Sequence, residues 1–366
     1  MEAVRNLVGL AKRNEGAIGA LFFTAGFVFD IAAVGRIDSW HVIAQQAVYL
    51  AIATAVLLQL LKEEGTSDIP PEGMGRLKRR YREYRLPIVS FLLGTLLNMY
   101  TLFFFKSSSL LVSFAFMLFL VALLFANEAK SLKFLGLALQ FALLSLCFLC
   151  FAAAVVPIGL ASTGLSVFLV SMLAGALPLA AAALWVGSGS PELHLRARRQ
   201  VLVPLGGVLV VFLAFYLFRL VPPVPLSIPY IGVYHKVEKS GSAYFLSHQR
   251  PAWKWWHNGD QDFLAQPGDK VYVYFRIFSP GRFSDQVLMR WQREEPGRGW
   301  LLQDTIPIKI LGGREDGFRG YGVKSRFDPG DWRVQVETSD GREIGRIYFR
   351  VDSVPEVPRD FQTQLD

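Results

Sequence analysis

Cysteine is nearly absent from this sequence. The 366-residue chain holds two, Cys147 and Cys150, both inside an apolar run, and the C-terminal part has none. A C-x-x-C pair set in an apolar run, with no histidine or second pair beside it, reads as two small buried thiols rather than a redox or metal centre. With no disulfide framework, the C-terminal part must be held together by an apolar core, and cysteine usage leaves its compartment open. Also missing are a G-x-S-x-G elbow, an H-E-x-x-H helix and a phosphate-binding loop, which removes the recognisable serine-hydrolase, zinc-peptidase and nucleotide-hydrolysing signatures. His235, His248 and His257 stand in a chain with many carboxylates. Scattered His near Asp is common by chance, and Asp260-x-Asp262 alone names no reaction. Neither a catalytic set nor a metal or cofactor is implied.

An excess of positive charge is missing from the C-terminal part as well. Residues 1–221 hold 18 Lys and Arg against 11 Asp and Glu, whereas residues 222–366 hold 20 against 19. Of the net +8 of the chain, +7 therefore belongs to its N-terminal part. Charge bias in the loops of a membrane protein explains it there, and no basic groove or RNA-binding motif points to nucleic acid.

Long apolar runs fill residues 17–221 and are lacking after Val221. Seven runs approach the length that ~1.5 Å per residue needs to cross ~30 Å of hydrocarbon: Ala17–Val34, Trp40–Leu61, Leu86–Phe105, Leu110–Ala126, Phe134–Val156, Leu165–Val186 and Val201–Val221. The first has a long basic lead and no clean cleavage site after it, so it reads as a span and not a signal peptide. Residues 1–16 before it suit a short cytoplasmic amphipathic helix lying in the interface. Pro178 is expected to kink the sixth span, and Gly175 with Ala180–Ala183 to let helices approach closely.

Alternate connections divide the basic residues unequally. One set holds Arg5, Lys12, Arg13, Lys62, Arg76, Lys78, Arg79, Arg80, Arg82, Arg85, Lys130, Lys133, Arg196, Arg198 and Arg199, and the other only Arg36 and Lys106. Basic residues are retained in the cytoplasm, so the expected N-terminus is inside and the C-terminus outside. The lipid bilayer is thus the first expected partner; oligomeric state is open. Asp30 lies within the first run near its outer end. It is either a paired or snorkelling interfacial carboxylate or an intramembrane relay group, the latter pointing to a membrane enzyme or transporter.

Beyond Arg219 the PPVPLSIP segment cannot continue a helix, because successive prolines lack the amide donor, and residues 222–229 are expected to form a stiff stalk. From Tyr230 the apolar period changes to two, as in Lys270–Phe278 and Asp331–Thr338. Further strands are expected at Ile231–Val237, Ala243–His248, Val287–Arg293, Ile306–Leu311, Tyr321–Phe327 and Glu343–Val351. Ser339-Asp340-Gly341-Arg342 reads as a hairpin turn. The expected fold is an all-α transmembrane bundle of seven spans followed by an all-β antiparallel sandwich over residues 230–353 and a tail over 354–366.

The run Gly312–Val351, with Arg290-Trp291 before it, resembles the domain of unknown function family numbered 2914. Gly313-Arg314, Gly317–Arg319, Pro329–Val334 and Asp340–Gly345 carry the likeness. It implies a bacterial protein and a β domain of the kind found as the tail of multi-span membrane proteins. It brings no activity to assign to residues.

Two segments are candidate ligand sites. Pro251–Asp262 reads PAWKWWHNGDQD, where Trp253, Trp255 and Trp256 beside His257 and Asp260 suit stacking on sugar rings with polar edges bonded, or, alternatively, core packing or contact with the membrane interface. Trp291, Trp300 and Trp332 read as core. Gly312–Gly322 with Arg314 and Arg319 is either an anion-cradling loop or, more simply, a set of tight turns between strands. The expected function is binding of an envelope glycan, anionic group or protein partner outside the cytoplasmic membrane, with the bundle as anchor.

Overall fold

The computed structural model describes residues 39–64, 76–107, 116, 118–120, 122, 136–280, 284–312 and 317–366. Asp30 and Arg314, together with the expected span 17–34 and most of 110–126, lie outside them.

An N-terminal helical region precedes a β-sheet domain. The helices are α1 (Trp40–Glu63), α2 (Arg76–Lys106), α3 (Gly136–Leu160), α4 (Leu165–Gly187), α5 (Pro191–Ala197) and α6 (Val203–Leu217). Among the described residues five helical stretches are long and apolar enough to cross a membrane: Trp40–Glu63, Tyr84–Phe105, Gly136–Leu160, Leu165–Gly187 and Pro191–Leu217. These coincide with five of the seven expected spans, so five replaces seven as the supported number.

Local sequence explains the breaks. Ser190 caps α5, its Oγ accepting from the Leu193 amide at 3.2 Å, with Pro191 at the first turn where no donor is needed. Between α5 and α6 the chain makes one π turn over Arg198–Leu202. Pro204 lies just past it and has no amide to offer the carbonyl of Gln200, so the helix widens locally instead of breaking.

The polar groups gather at one end of the helical region. Arg82 and Arg85 both pair with Glu63, Tyr81 donates to Gln59 at 2.7 Å, and Arg196 and Gln200 reach Glu64. The opposite end, at Ala161–Gly164 and Leu217–Leu226, meets the β domain.

That domain has eleven strands: β1 (Ser227–Tyr234), β2 (Lys236–Ser240), β3 (Ala243–His248), β4 (Asp262–Ala265), β5 (Val271–Phe278), β6 (Ser284–Glu295), β7 (Gly299–Leu311), β8 (Phe318–Lys324), β9 (Gly330–Thr338), β10 (Glu343–Ser353) and β11 (Gln362–Leu365). They form sheets in the orders β1-β5-β8, β4-β10-β9-β6-β7 and β11-β3-β2. The first two fill one core, in which Val233, Val273, Phe275, Met289, Trp291, Val334 and Phe349 are buried. Alternating burial along β5 and β10 is the period-two pattern made physical. The β9–β10 hairpin turns at Ser339–Arg342 as the Asp-Gly pair predicts, with Gly341 at φ +78.

Four expectations are corrected. Ile231–Val237 is two strands, because after Tyr234 the chain leaves β5 and the His235 amide bonds Ser247 O at 3.0 Å. One pair, β4 with β10, is parallel in an otherwise antiparallel set. Trp300 is only half-buried, lying between the Arg333 guanidinium and Tyr348, whereas Trp291 and Trp332 are core. Residues 222–229 are no extended stalk: Val221 to Leu226 are buried, and the Leu226 amide bonds Pro223 O at 2.9 Å in a tight turn. Apolar prolines carry no amide that burial would leave unpaired, which suits them to this wedge between the two regions.

Candidate functional site

The tryptophan segment is held at both ends by backbone bonds. The Val233 amide donates to Asn258 O at 3.0 Å and the Asp260 amide to Val233 O at 2.7 Å, so the loop is zipped onto the end of β1. Gly259 makes this possible. Its φ is +69, and a Cβ there would stand 1.9 Å from Val233 O. Asp260 closes the other end, its two carboxylate oxygens accepting from the Gln249 amide at 3.0 and 2.9 Å.

Trp253, Trp255 and Trp256 are 63%, 78% and 54% exposed. Neither core nor helix covers them. They brace one another edge to face, Trp253 with Trp256 at 5.7 Å and Trp255 with Trp256 at 5.9 Å, and Lys254 sits over the Trp253 ring. Three neighbouring exposed indoles are a large apolar area to leave in water.

Strand register locates this loop relative to the helices. Arg342, at the start of β10, donates from Nη1 to Val221 O at 3.2 Å and from Nη2 to Tyr216 O at 2.9 Å at the end of α6. Further along β10, Arg350 pairs with Asp262, which ends the tryptophan segment. Eight residues of strand put these points roughly 25 Å apart. The indoles therefore lie at the end of the β domain remote from the helices.

Below the loop is a cleft of about 290 Å³ lined by His235, Arg250, Lys254, His257, Asp260 and Asp262, among others. Lys254 pairs with Asp262, and His257 Nδ1 lies 3.6 Å from the same carboxylate. Arg250 donates to His257 O. His235 forms the floor, 8% exposed and stacked on Phe263 at 4.0 Å. Its Nδ1 is 3.4 Å from Arg359 Nη1, while its Nε2 lies 3.7 Å from Asp260 Oδ2 and has no hydrogen-bond partner.

Burial shifts both floor groups toward neutrality. It lowers the His235 pKa to about 4, with Asp269 opposing and Arg359 adding to the shift. It raises Asp260 to about 6 despite the Gln249 amide and Arg250. Burial alone would also raise Asp269, but its two bonds from Arg359, at 2.7 and 2.8 Å, hold it below its usual value.

Of the residues singled out in the sequence, the structure brings Trp253, Trp255, Trp256, His257 and Asp260 together. Arg319 is elsewhere: it lies on β8, the sheet edge opposite β1, and donates to Ser242 O at 3.0 Å. Phe318–Lys324 around it is strand, where a Cβ at Gly322 would come within 2.4 Å of the Met289 sulfur; residues 313–316 of the expected anion loop lie outside the described residues. His235, Arg250 and Lys254 were not singled out as ligand contacts. His235 stands 25 positions from Asp260, and no local spacing signals the pair. Among the described residues no cluster of His, Cys, Asp and Glu could hold a metal ion.

Solved structures resemble parts of the chain only distantly. An immunoglobulin-like protein from Pseudomonas aeruginosa is 13% identical over 35% of this chain and 98% of its own, with a TM-score of 0.22. A β-glucosidase from Listeria innocua is 12% identical over 31% of this chain and 16% of its own, with a TM-score of 0.18. The Pseudomonas fluorescens alkylpurine DNA glycosylase AlkC is 11% identical over 87% of this chain and 99% of its own, with a TM-score of 0.22. At such scores none bears on function. Among curated proteins none matches the chain. Residues 284–351, which run from β6 through most of β10 and leave out the tryptophan loop and His235, match the family described as Protein of unknown function (DUF2914).

Proposed function

We propose that this is a multi-pass protein of the bacterial cytoplasmic membrane whose C-terminal β-sandwich stands outside the membrane and binds an envelope ligand through the tryptophan loop. In this reading the N-terminus is cytoplasmic, the helices anchor the domain, and the ligand is a glycan, an anionic group or an envelope protein. The observation that carries it is three exposed indoles on a backbone-pinned loop, over a cleft with a buried unpaired imidazole, at the end of the domain away from the helices. The orientation is supported by Arg82, Arg85 and Arg196 gathering at the end of the helical region opposite the β domain. A transport or enzymatic role for the helices would lean on Asp30, which is outside the described residues, and no observation favours it.

Stacking of sugar faces on indoles accounts for the exposure, because ring C–H surfaces bury apolar area while ring hydroxyls keep polar partners. The full chain in lipid nanodiscs is expected to bind isolated envelope glycan, and Trp253→Ala with Trp256→Ala to weaken that binding tenfold or more. Equal retention of the wild-type and doubly substituted chains on the glycan would defeat the reading.

A further inference from the structure

The floor of the cleft specifies its ligand more narrowly than the tryptophans do. His235 Nδ1 has Arg359 Nη1 at 3.4 Å and Asp269 Oδ2 at 3.7 Å; a guanidinium cannot accept a hydrogen bond, so the tautomer that uses the nearer contact has Nδ1 accepting and the proton on Nε2. The Nε2 donor then lies 3.7 Å from Asp260 Oδ2, too far for a direct bond. A single atom about 2.8 Å from each would close the gap, but only if it accepts from the imidazole and donates to the carboxylate. An ether or carbonyl oxygen cannot donate, an ammonium cannot accept, and a carboxylate would face Asp260 with like charge. A hydroxyl does both.

The charges around this floor are already matched. Lys254 is paired with Asp262, Arg359 with Asp269, and Arg250 stands near Asp260 while bonded to His257 O. Among the described residues lining the cleft, Arg250 and Lys254 stand against Asp260 and Asp262, so no net positive charge draws an anion. About 290 Å³ is at the small end of ligand pockets, enough for one ring with the rest of a chain running over the indoles.

Resting on the binding role proposed above, we infer that the cleft takes one uncharged pyranose ring of a neutral glycan, with a ring hydroxyl bridging His235 Nε2 and Asp260. The acidic-ligand alternative is thereby set aside.

The test is a titration of the full chain in nanodiscs, followed by tryptophan fluorescence, with two probes of equal length. One is an uncharged β-linked N-acetylglucosamine tetramer or cellotetraose; the other is an acidic tetrasaccharide alternating glucuronate with N-acetylglucosamine. The wild-type chain is expected to bind a neutral probe at least tenfold tighter than the acidic one. His235→Phe keeps the stack on Phe263 but removes the donor, and Asp260→Asn keeps an acceptor for Gln249. Each is expected to weaken neutral binding tenfold or more with thermal unfolding near wild type at pH 7 in at least one of the two. Tighter binding of the acidic probe would overturn the inference. So would undiminished neutral binding by both floor variants while Trp253→Ala loses it, an outcome that leaves the tryptophan platform standing. Failure of every glycan, with an envelope protein captured instead through the tryptophans, would overturn the sugar assignment but not the platform.

Discussion

His235 and Asp260 bind protons in reverse of their usual order, and this has a measurable consequence. In an unfolded chain at pH 5 the histidine is charged and the aspartate ionised, one proton between them. Folded, with His235 at about 4 and Asp260 at about 6, the pair again holds one proton, now on the carboxyl. Equal proton counts mean that the pair adds no pH dependence to stability between about pH 4 and 6. Asp260→Asn exposes the histidine alone: its lowered pKa gives stability that is present above pH 6.5 and is lost as pH falls toward 4, by about 3 kcal/mol. His235→Asn leaves the raised carboxyl, whose contribution is present below about pH 4 and is lost as pH rises toward 6, by about 3 kcal/mol. Thermal unfolding of the two variants across this range should therefore slope in opposite directions, and parallel slopes would contradict the assignment. The sequence shows the loop's tryptophans, His257 and Asp260 as one run, so that half of the site is legible. The floor is not, because His235 meets Asp260 only through the Gly259 turn and meets Arg359 across 124 positions.

At the scale of elements, two joints hold the arrangement. Gly259 lets the loop zip onto β1; Gly259→Ala places a Cβ on the Val233 carbonyl in a conformation L-residues avoid, and should cost about 3 kcal/mol and release the loop. Faster hydrogen exchange at the Val233 and Asp260 amides would report the release. The second joint is the β9–β10 turn. Arg342 stacks 3.4 Å over the Tyr216 ring, pairs with Asp340 at 2.9 Å and caps carbonyls at the end of α6. On the α3–α4 connection, Thr163 also donates to Asp285 at 2.5 Å. Arg342→Ala should lose about 3 kcal/mol of this docking, and Arg342→Lys should recover little, since an ammonium lacks the planar fork that serves Asp340 and both carbonyls together. Exchange confined to Thr338–Arg342 and 219–226 would show it; unchanged exchange there would contradict it. The Asp-Gly turn was legible in the sequence, but its docking was not, because proline-rich residues 222–229 read locally as an extended stalk and only tertiary packing turns them into a buried wedge.

For the whole molecule, the end of the long apolar runs at Val221 and the alternating period from Tyr230 are enough to separate the helical region from the β domain, and five of the expected spans fall where apolar helices stand. Period-two patterning also found most strands, while the short β4 and β11, with four residues each, carry too little pattern to be seen. What patterning cannot supply is which end of the β domain faces the helices, and that fact makes the tryptophan loop a surface presented away from them. The most direct measurement uses Trp255→Cys as a labelling site, since Cys147 and Cys150 are both buried among the helices. A membrane-impermeant maleimide added to intact spheroplasts should label this variant at once and more slowly when a bound neutral glycan covers the loop. Labelling only after the membrane is permeabilised would place the loop in the cytoplasm and contradict the account.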